Sequence, residues 1–274
     1  MAEIKDNQKT IADLPQWVKF FINRKQLENP QPQFYEIDLT NYCNRKCKWC
    51  NAAILRQFPR VNMEEKVFDA ILNDAVVNGC GITITGGGES LLHPQFQHFF
   101  DKIYTLLQLN LIPNFGCVTN GDMFHHIDYM MPKLMTIQRD GVKAWWVRLS
   151  INNNKMTESS IEIIKRYKGL LGQSYVYGDE EERKGCLENI AELGAYSEYP
   201  PRLKKNHNFQ DCYPEGYPLQ CIGRKLHKIH EANGDISYCC NARGMHGKII
   251  EKCPLSCPWG KPNKAYLWSI GPFS

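Results

Sequence analysis

Apolar residues recur along the chain in two alternating rhythms. Short runs rich in β-branched and aromatic residues alternate with longer stretches whose apolar positions fall three and four apart. The first short run, residues 34–40, reads as a strand. Residues 63–78 then place Met63, Val67, Ile71 and Leu72 at helical spacing. Further strands are predicted over 81–85, 112–119 and 144–151, with weaker ones over 174–177 and 195–200. The helices between them are predicted over 94–107, 129–138, 159–171 and 181–193. Six strand–helix units of this kind imply parallel pairing. They fall short of the eight in a full TIM barrel. The expected fold is therefore α/β, a partial (β/α)6 TIM-like barrel with a small Cys-rich C-terminal extension.

Two flanking pieces break the rhythm. Residues 1–33 carry one more helical pattern, with Pro15 after Asp13 and apolar Trp17, Val18, Phe20, Phe21 and Leu27. Asn29-Pro30-Gln31-Pro32-Gln33 ends it. Residues 204–274 show little helix signal, many Pro and Gly, and six cysteines. So little apolar material does not make an independent core, and a metal would substitute for one. The expected division is an N-terminal helical extension over 1–33, a barrel over 34–203 and a Cys-rich segment over 204–274.

Composition narrows the class. The chain has 274 residues, 43% hydrophobic and 23% charged, the balance of a soluble globular protein. Its apolar runs are too short for a membrane span, and residues 1–10 lack a signal-peptide core. A cytoplasmic location and no membrane partner are expected. Twelve cysteines in that compartment point to metal or redox chemistry rather than disulfides. A net charge of +4 permits an anionic substrate but lacks the basic stripe of a nucleic-acid binder, so nucleic acid is not expected as a partner.

The chemistry concentrates in Cys43-Asn44-Arg45-Lys46-Cys47-Lys48-Trp49-Cys50, at the end of the first strand. Three soft thiolates select iron–sulfur, zinc or copper(I). A structural zinc site wants a fourth ligand, and the next histidine is distant His93. Three cysteines alone suit a four-iron cluster with one open iron. Gly87-Gly88-Glu89 follows the second strand. Thr119-Asn120-Gly121 follows the third, and Ser150-Ile151-Asn152 the fourth. In parallel barrels, chemistry gathers at these C-terminal strand ends.

The C-x3-C-x2-C spacing, the aromatic residue before the last cysteine and the Gly-Gly-Glu run in register resemble the radical S-adenosylmethionine (SAM) family. The resemblance covers the chain from about residue 34. It implies that Cys43, Cys47 and Cys50 hold a [4Fe-4S] cluster that binds SAM and cleaves it to a 5'-deoxyadenosyl radical. It implies that Gly87, Gly88 and Glu89 meet the SAM amino group, although Ser90 stands where the family usually has Pro. Asn120, Ser150 and Asn152 would meet its ribose and carboxylate, and Trp49 and Val118 its adenine. Arg148, Trp145 and Trp146 are candidates for substrate contact, with core packing expected for at least one of the tryptophans. An external electron donor of the flavodoxin or ferredoxin type is implied as a partner.

The C-terminal cysteines resemble the family's twitch or SPASM extension. Cys221, a Gly-Asp hairpin at Gly234-Asp235 and then Cys239 are followed by Cys253 and Cys257. This implies a second, auxiliary [4Fe-4S] cluster on Cys221, Cys239, Cys253 and Cys257, with Cys240 or Cys212 open as a replacement for one of them. Cys240, Cys212 and Cys117 are also candidates for a catalytic thiol that returns hydrogen to a substrate radical. The expected activity is dehydrogenation or epimerisation of a small polar substrate, an amino sugar or aminocyclitol, as in natural-product biosynthesis. Acidic Asp38, Glu198, Asp211 and Glu215 would suit such a cation. By the size the family leads one to expect, the chain has no room for a leader-peptide-binding domain, an expectation that weighs against modification of a ribosomal peptide without removing a short peptide as an alternative. A non-catalytic zinc-binding interaction protein is the rival outside enzymology. It accounts for the cysteines but not for Gly-Gly-Glu, Thr-Asn-Gly or the barrel rhythm.

Overall fold

The computed structural model describes residues 34–47, 50, 52–138, 143–193, 202–203, 217–218, 227–237 and 249–250. The predicted helix within 1–33 and the predicted strand over 195–200 lie outside them. Among the described residues, β1 (Phe34–Asp38), β2 (Gly81–Thr85), β3 (Phe115–Thr119), β4 (Trp145–Ser150) and β5 (Leu171–Ser174) form one parallel run in sequence order. Helices α1 (Glu65–Asn78), α2 (Phe96–Gln108), α3 (Phe124–Met135) and α4 (Glu158–Arg166) connect them. This is the partial barrel expected. Beyond β5 come the short β6 (Val176–Tyr177), α5 (Glu180–Leu193) and β7 (Arg202–Leu203), where β6 and β7 pair apart from the main sheet.

The other edge of the sheet departs from the expected plan. A hairpin of β9 (His227–His230) and β10 (Ile236–Ser237) comes from the Cys-rich segment, yet β9 lies parallel against β1. The sheet order is β10-β9-β1-β2-β3-β4-β5. The Gly-Asp turn is present, closed by the Glu231 N–H donating to the Asp235 carbonyl at 2.9 Å. A separate parallel pair joins β8 (Tyr217–Pro218) to β11 (Ile249–Ile250). Thus part of the C-terminal segment is built into the main sheet.

Strand alternation divides the sheet into two faces. Tyr35, Ile37, Ile82, Ile84, Phe115, Cys117, Trp145, Val147 and Leu149 enter the core shared with the helices. Each helix supplies a matching stripe. In α2 it is Phe96, Phe99, Phe100, Ile103 and Leu107, and in α1 it is Phe68, Ile71, Leu72 and Ala75. The Phe68 and Phe99 rings stack at 4.3 Å, and His93 stacks on Phe99 at 4.7 Å. The intervening strand residues, among them Glu36, Asp38, Thr83, Gly116, Trp146 and Arg148, line the opposite face, the lumen of the barrel.

Several boundaries moved: β3 starts at Phe115 rather than 112, and α4 ends at Arg166 rather than 171. Helix α3 starts five residues before the expected 129, because Ile127, Met130, Met131 and Leu134 make one buried stripe that the polar His125, His126 and Asp128 disguise. The fifth strand starts at Leu171, earlier than the expected 174. No helix among the described residues is long and apolar enough to cross a membrane.

Phe99→Ala should destabilise the chain by about 3–5 kcal/mol in urea denaturation, because the ring is fully buried between two others. His230 is buried against Tyr35. Burial, reinforced by Lys228, lowers its pKa from the usual 6.5 to about 4. Its neutral form therefore contributes stability that is complete above pH 6.5 and lost as the pH falls toward 4. His230→Asn should remove that share of the acid sensitivity, read as a flatter urea midpoint across this window.

Candidate active site

The cysteine loop is closed at its root before any metal is considered. The Met63 N–H donates to the Leu39 carbonyl at 2.8 Å, and the Asn41 N–H to the Val61 carbonyl at 3.2 Å. The Asn41 side chain reinforces the closure, accepting from the Val61 N–H and donating to the Pro59 carbonyl, both at 2.8 Å. Arg60 covers the Tyr42 ring with its guanidinium 3.0 Å from the centroid. From this root the chain carries Cys43, Cys47 and Cys50 at the C-terminal end of β1. All three are half-buried and free of disulfides. Burial pushes the Cys43 thiol up to about 11; the Arg45 N–H pulls it back, while Glu89, Cys50 and Cys47 add to the rise.

The loop after β2 docks on that root. The Glu89 N–H donates to the Tyr42 carbonyl at 2.7 Å. Gly88 lies so close that a Cβ would sit 2.2 Å from the Tyr42 carbonyl oxygen and 2.7 Å from that of Thr40. Those are backbone atoms and cannot swing aside. Gly87 lines a neighbouring pocket with Asp38. The Glu89 carboxylate is only 3% exposed. One oxygen accepts from the Leu91 N–H at 3.1 Å and the Thr119 hydroxyl at 2.8 Å; the other accepts from the Asn120 N–H at 2.7 Å. Burial raises its pKa, and these three donors together with Arg45 oppose the rise. Glu89 therefore ties the ends of β2 and β3 together as well as carrying charge.

The ends of β3 and β4 are also tied to the cysteine loop. The Asn120 amide donates to the Asn44 side-chain oxygen at 2.8 Å, and its own oxygen accepts from the Asp122 N–H at 2.9 Å. Ser150 falls on the lumen face, with the Ser174 hydroxyl 3.4 Å away. Asn152 is turned inward. It is buried, in the left-handed region at φ 56°. Its side-chain oxygen accepts from the Val176 N–H at 2.9 Å, and its carbonyl accepts from Asn189 at 2.8 Å. As placed, Asn152 braces the exit of β4.

Cys117 is corrected. It was expected near the active face, but alternation along β3 sends it into the helix-side core, where it is fully buried and burial pushes its thiol far up. The tryptophan pair resolves by the same rule. Trp145 is core, its indole N–H donating to the Ile137 carbonyl at 3.2 Å. Trp146 is 40% exposed on the lumen face. Its ring lies over Gly116, where a Cβ would come within 2.3 Å of it, and the Arg148 guanidinium lies 5.4 Å from the ring centre. Trp49, Cys212, Cys221, Cys239, Cys240, Cys253 and Cys257 lie outside the described residues. The sequence reading missed Asp122, which stands two residues after Asn120 and contacts both Asn44 and Arg45. Its proximity to the Thr-Asn-Gly run was the available signal.

Residues 37–177, just over half of the chain, match the model of the radical SAM superfamily. The chain belongs to the radical SAM superfamily. No curated protein matches it. Among solved structures, SuiB of Streptococcus suis bound to S-adenosylmethionine aligns at 16% identity and TM-score 0.53, covering 85% of this chain and 66% of that one. SuiB bound to its precursor peptide SuiA aligns at the same identity and TM-score, with 82% and 63% covered. This radical SAM chain thus spans about two-thirds of SuiB. BtrN in complex with AdoMet and 2-DOIA aligns at 12% identity and TM-score 0.48, with 79% and 78% covered. The likeness to SuiB speaks to the fold.

Membership of the superfamily implies a [4Fe-4S] cluster and SAM. The donor chemistry fits: three half-buried thiols in no disulfide stand on one loop, with no histidine or carboxylate interleaved between them. Among the described residues, no group of three or more His, Cys, Asp or Glu is gathered closely enough to hold a single ion. When bound, the group supplies one-electron chemistry that the side chains themselves lack. Cys43, Cys47 and Cys50 would be the residues to hold that group, and Glu89 ties together the strand ends beside them. Gly88→Ala should force the two loops apart. Iron retained per chain after anaerobic reconstitution should fall about tenfold or more, while the circular dichroism spectrum keeps its helix signal.

Proposed function

We propose that the chain is a radical SAM oxidoreductase or isomerase acting on a C–H bond of a small polar, amine-bearing substrate, an amino sugar or aminocyclitol. The observation that carries this reading is a pocket of about 200 Å³ at the C-terminal end of β1, lined by Asp38, Asn41, Gly87, Glu231 and Asn233 with apolar Leu55 and Phe58. Asp38 is 1% exposed and Glu231 4%. Two carboxylates lining one pocket give it an acidic wall, which suits an ammonium group. Asp38 also lies beside Gly87, close enough that a Cβ there would meet its carboxylate at 2.8 Å.

In this reading Gly87, Gly88 and Glu89 receive the SAM amino group, and Asn120 and Ser150 its ribose and carboxylate, while Asn152 keeps its bracing contacts to Val176 and Asn189. Residues 204–274 form a twitch/SPASM-like extension to a 34–203 barrel, holding an auxiliary cluster through Cys221, Cys239, Cys253 and Cys257. The hairpin between Cys221 and Cys239 supports it. Dehydrogenation needs an acceptor for the second electron, and those cysteines are where the acceptor would be held. Epimerisation needs a hydrogen donor instead, with Cys240 or Cys212 in that role. The electron donor is of the flavodoxin or ferredoxin type. A short ribosomal peptide is the second reading. Trp146 and Arg148 favour it, because an exposed indole beside a guanidinium suits a peptide side chain and carboxylate; SuiB, of the same fold, binds a precursor peptide.

Iron and sulfide counts on anaerobically reconstituted protein test the cofactor content. About eight irons per chain are expected, falling to about four in a Cys43→Ala/Cys47→Ala/Cys50→Ala variant, as two Cys-held four-iron clusters require. Four falling to zero would remove the auxiliary cluster, and zinc without iron would remove the radical chemistry. For the substrate class, Asp38→Asn should raise KM for an amine substrate about tenfold or more. The hydroxyl analogue should be unaffected. Equal effects on both would defeat the ammonium reading.

A further inference from the structure

The residues between Cys43 and Cys47 are not passive spacers. Arg45 turns back under the loop with its side chain only 7% exposed. Its Nε donates to Asp122 Oδ2 at 2.8 Å and its Nη2 to Asp122 Oδ1 at 2.5 Å, a two-pronged pair. Its Nη1 donates to the Ser150 carbonyl at 3.0 Å and approaches that of Ile151 at 3.4 Å. One guanidinium thus joins the cysteine loop to the exits of both β3 and β4. Asn44 adds a second latch, donating to Asp122 Oδ2 at 2.8 Å and accepting from the Asn120 amide at 2.8 Å. The Arg45 N–H meanwhile lies 3.4 Å from the Cys43 sulfur.

A planar fork can meet a carboxylate and a carbonyl at once, which an ammonium cannot. The partners stand at the end of β4 and just beyond the end of β3, strands paired on both sides within the sheet. Groups that orient metal ligands from behind are as much part of a metal site as the ligands themselves. On these grounds we infer that the Arg45–Asp122 pair, with Asn44, is the positioning device for the Cys43–Cys47 loop, holding that loop, and with it the first two thiols, against the ends of strands β3 and β4. The inference rests on the reading of that loop as a cluster site. It adds three positioning residues that the cysteine spacing does not name.

The test uses full-length protein with Arg45→Lys, Asp122→Asn and Asp122→Glu. Three properties are measured: melting of the apo-chain, the rate of iron loss to a chelator after reconstitution, and the electron paramagnetic resonance spectrum of the reduced cluster. Arg45→Lys and Asp122→Asn should lose iron about tenfold faster or more, with shifted g-values, while the apo-chain melts within a few degrees of wild type. Asp122→Glu, which retains the carboxylate, should recover part of the retention. Wild-type retention and spectrum in both Arg45→Lys and Asp122→Asn would overturn the inference. So would iron loss that merely follows a fall in apo-chain melting. Failure of the underlying cluster reading looks different, because wild type itself would then bind no iron.

Discussion

The burial of Glu89 is the constraint on which the site depends. A carboxylate removed from water must find donors close by or be neutralised. Here the donors are the Leu91 and Asn120 backbones and the Thr119 hydroxyl, so satisfying one side chain fixes the ends of two strands. Its own N–H reaches the Tyr42 carbonyl, which adds the root of the cysteine loop. Three separate pieces of chain are thereby placed around a single residue. Arg45 does the corresponding work from the other side, meeting Asp122 and the end of β4. The two opposite charges lie near enough for Arg45 to oppose the rise in the Glu89 pKa. The cysteines thus occupy a loop framed by a buried anion and a buried cation.

Around that frame, the two-residue period of the strands separates structure from chemistry. Trp145 and Trp146 are neighbours of the same type, yet one is sealed against Ile137 and the other lies open in the lumen. The same alternation removes Cys117 from the set of candidate hydrogen donors. It places Asp38 on the lumen face, where Glu231 from the C-terminal hairpin meets it in one pocket. A pocket assembled from the first strand and a late hairpin makes both ends of the described chain necessary to one cavity.

The barrel was legible because its strands and helices have distinct periods and each chemical cluster follows a strand. The extent of β2 matched the expectation at both ends. The start of α3 was not legible, because polar His125, His126 and Asp128 interrupt the stripe beginning at Ile127. The cysteine triad stood out as a candidate by its spacing, and Gly-Gly-Glu by its resemblance to a family motif and its place after a strand. Arg45 and Asp122 could not, since their meaning lies in a contact across 77 residues that no local pattern records. Nor could the role of Asn152 as a brace, which depends on Val176 and Asn189 arriving beside it. The pairing of β9 with β1 was invisible for the same reason: a four-residue strand carries no mark of its distant neighbour.

That last pairing bears on how the protein is made. The strand leading into the cysteine loop is internal, with β2 on one side and β9 on the other. Its partner Phe34↔His227 joins residues far apart in the order of synthesis. Until residues 227–230 leave the ribosome, β1 has one open edge of unpaired backbone groups, the kind of edge that recruits other strands. Chain growth at roughly 5–20 residues per second makes that interval last on the order of ten seconds or more for the intervening segment. Completion of the sheet thus waits until the β9 hairpin has been synthesised. Slowing synthesis downstream of β5 would prolong the stage at which the nascent chain is most prone to aggregate.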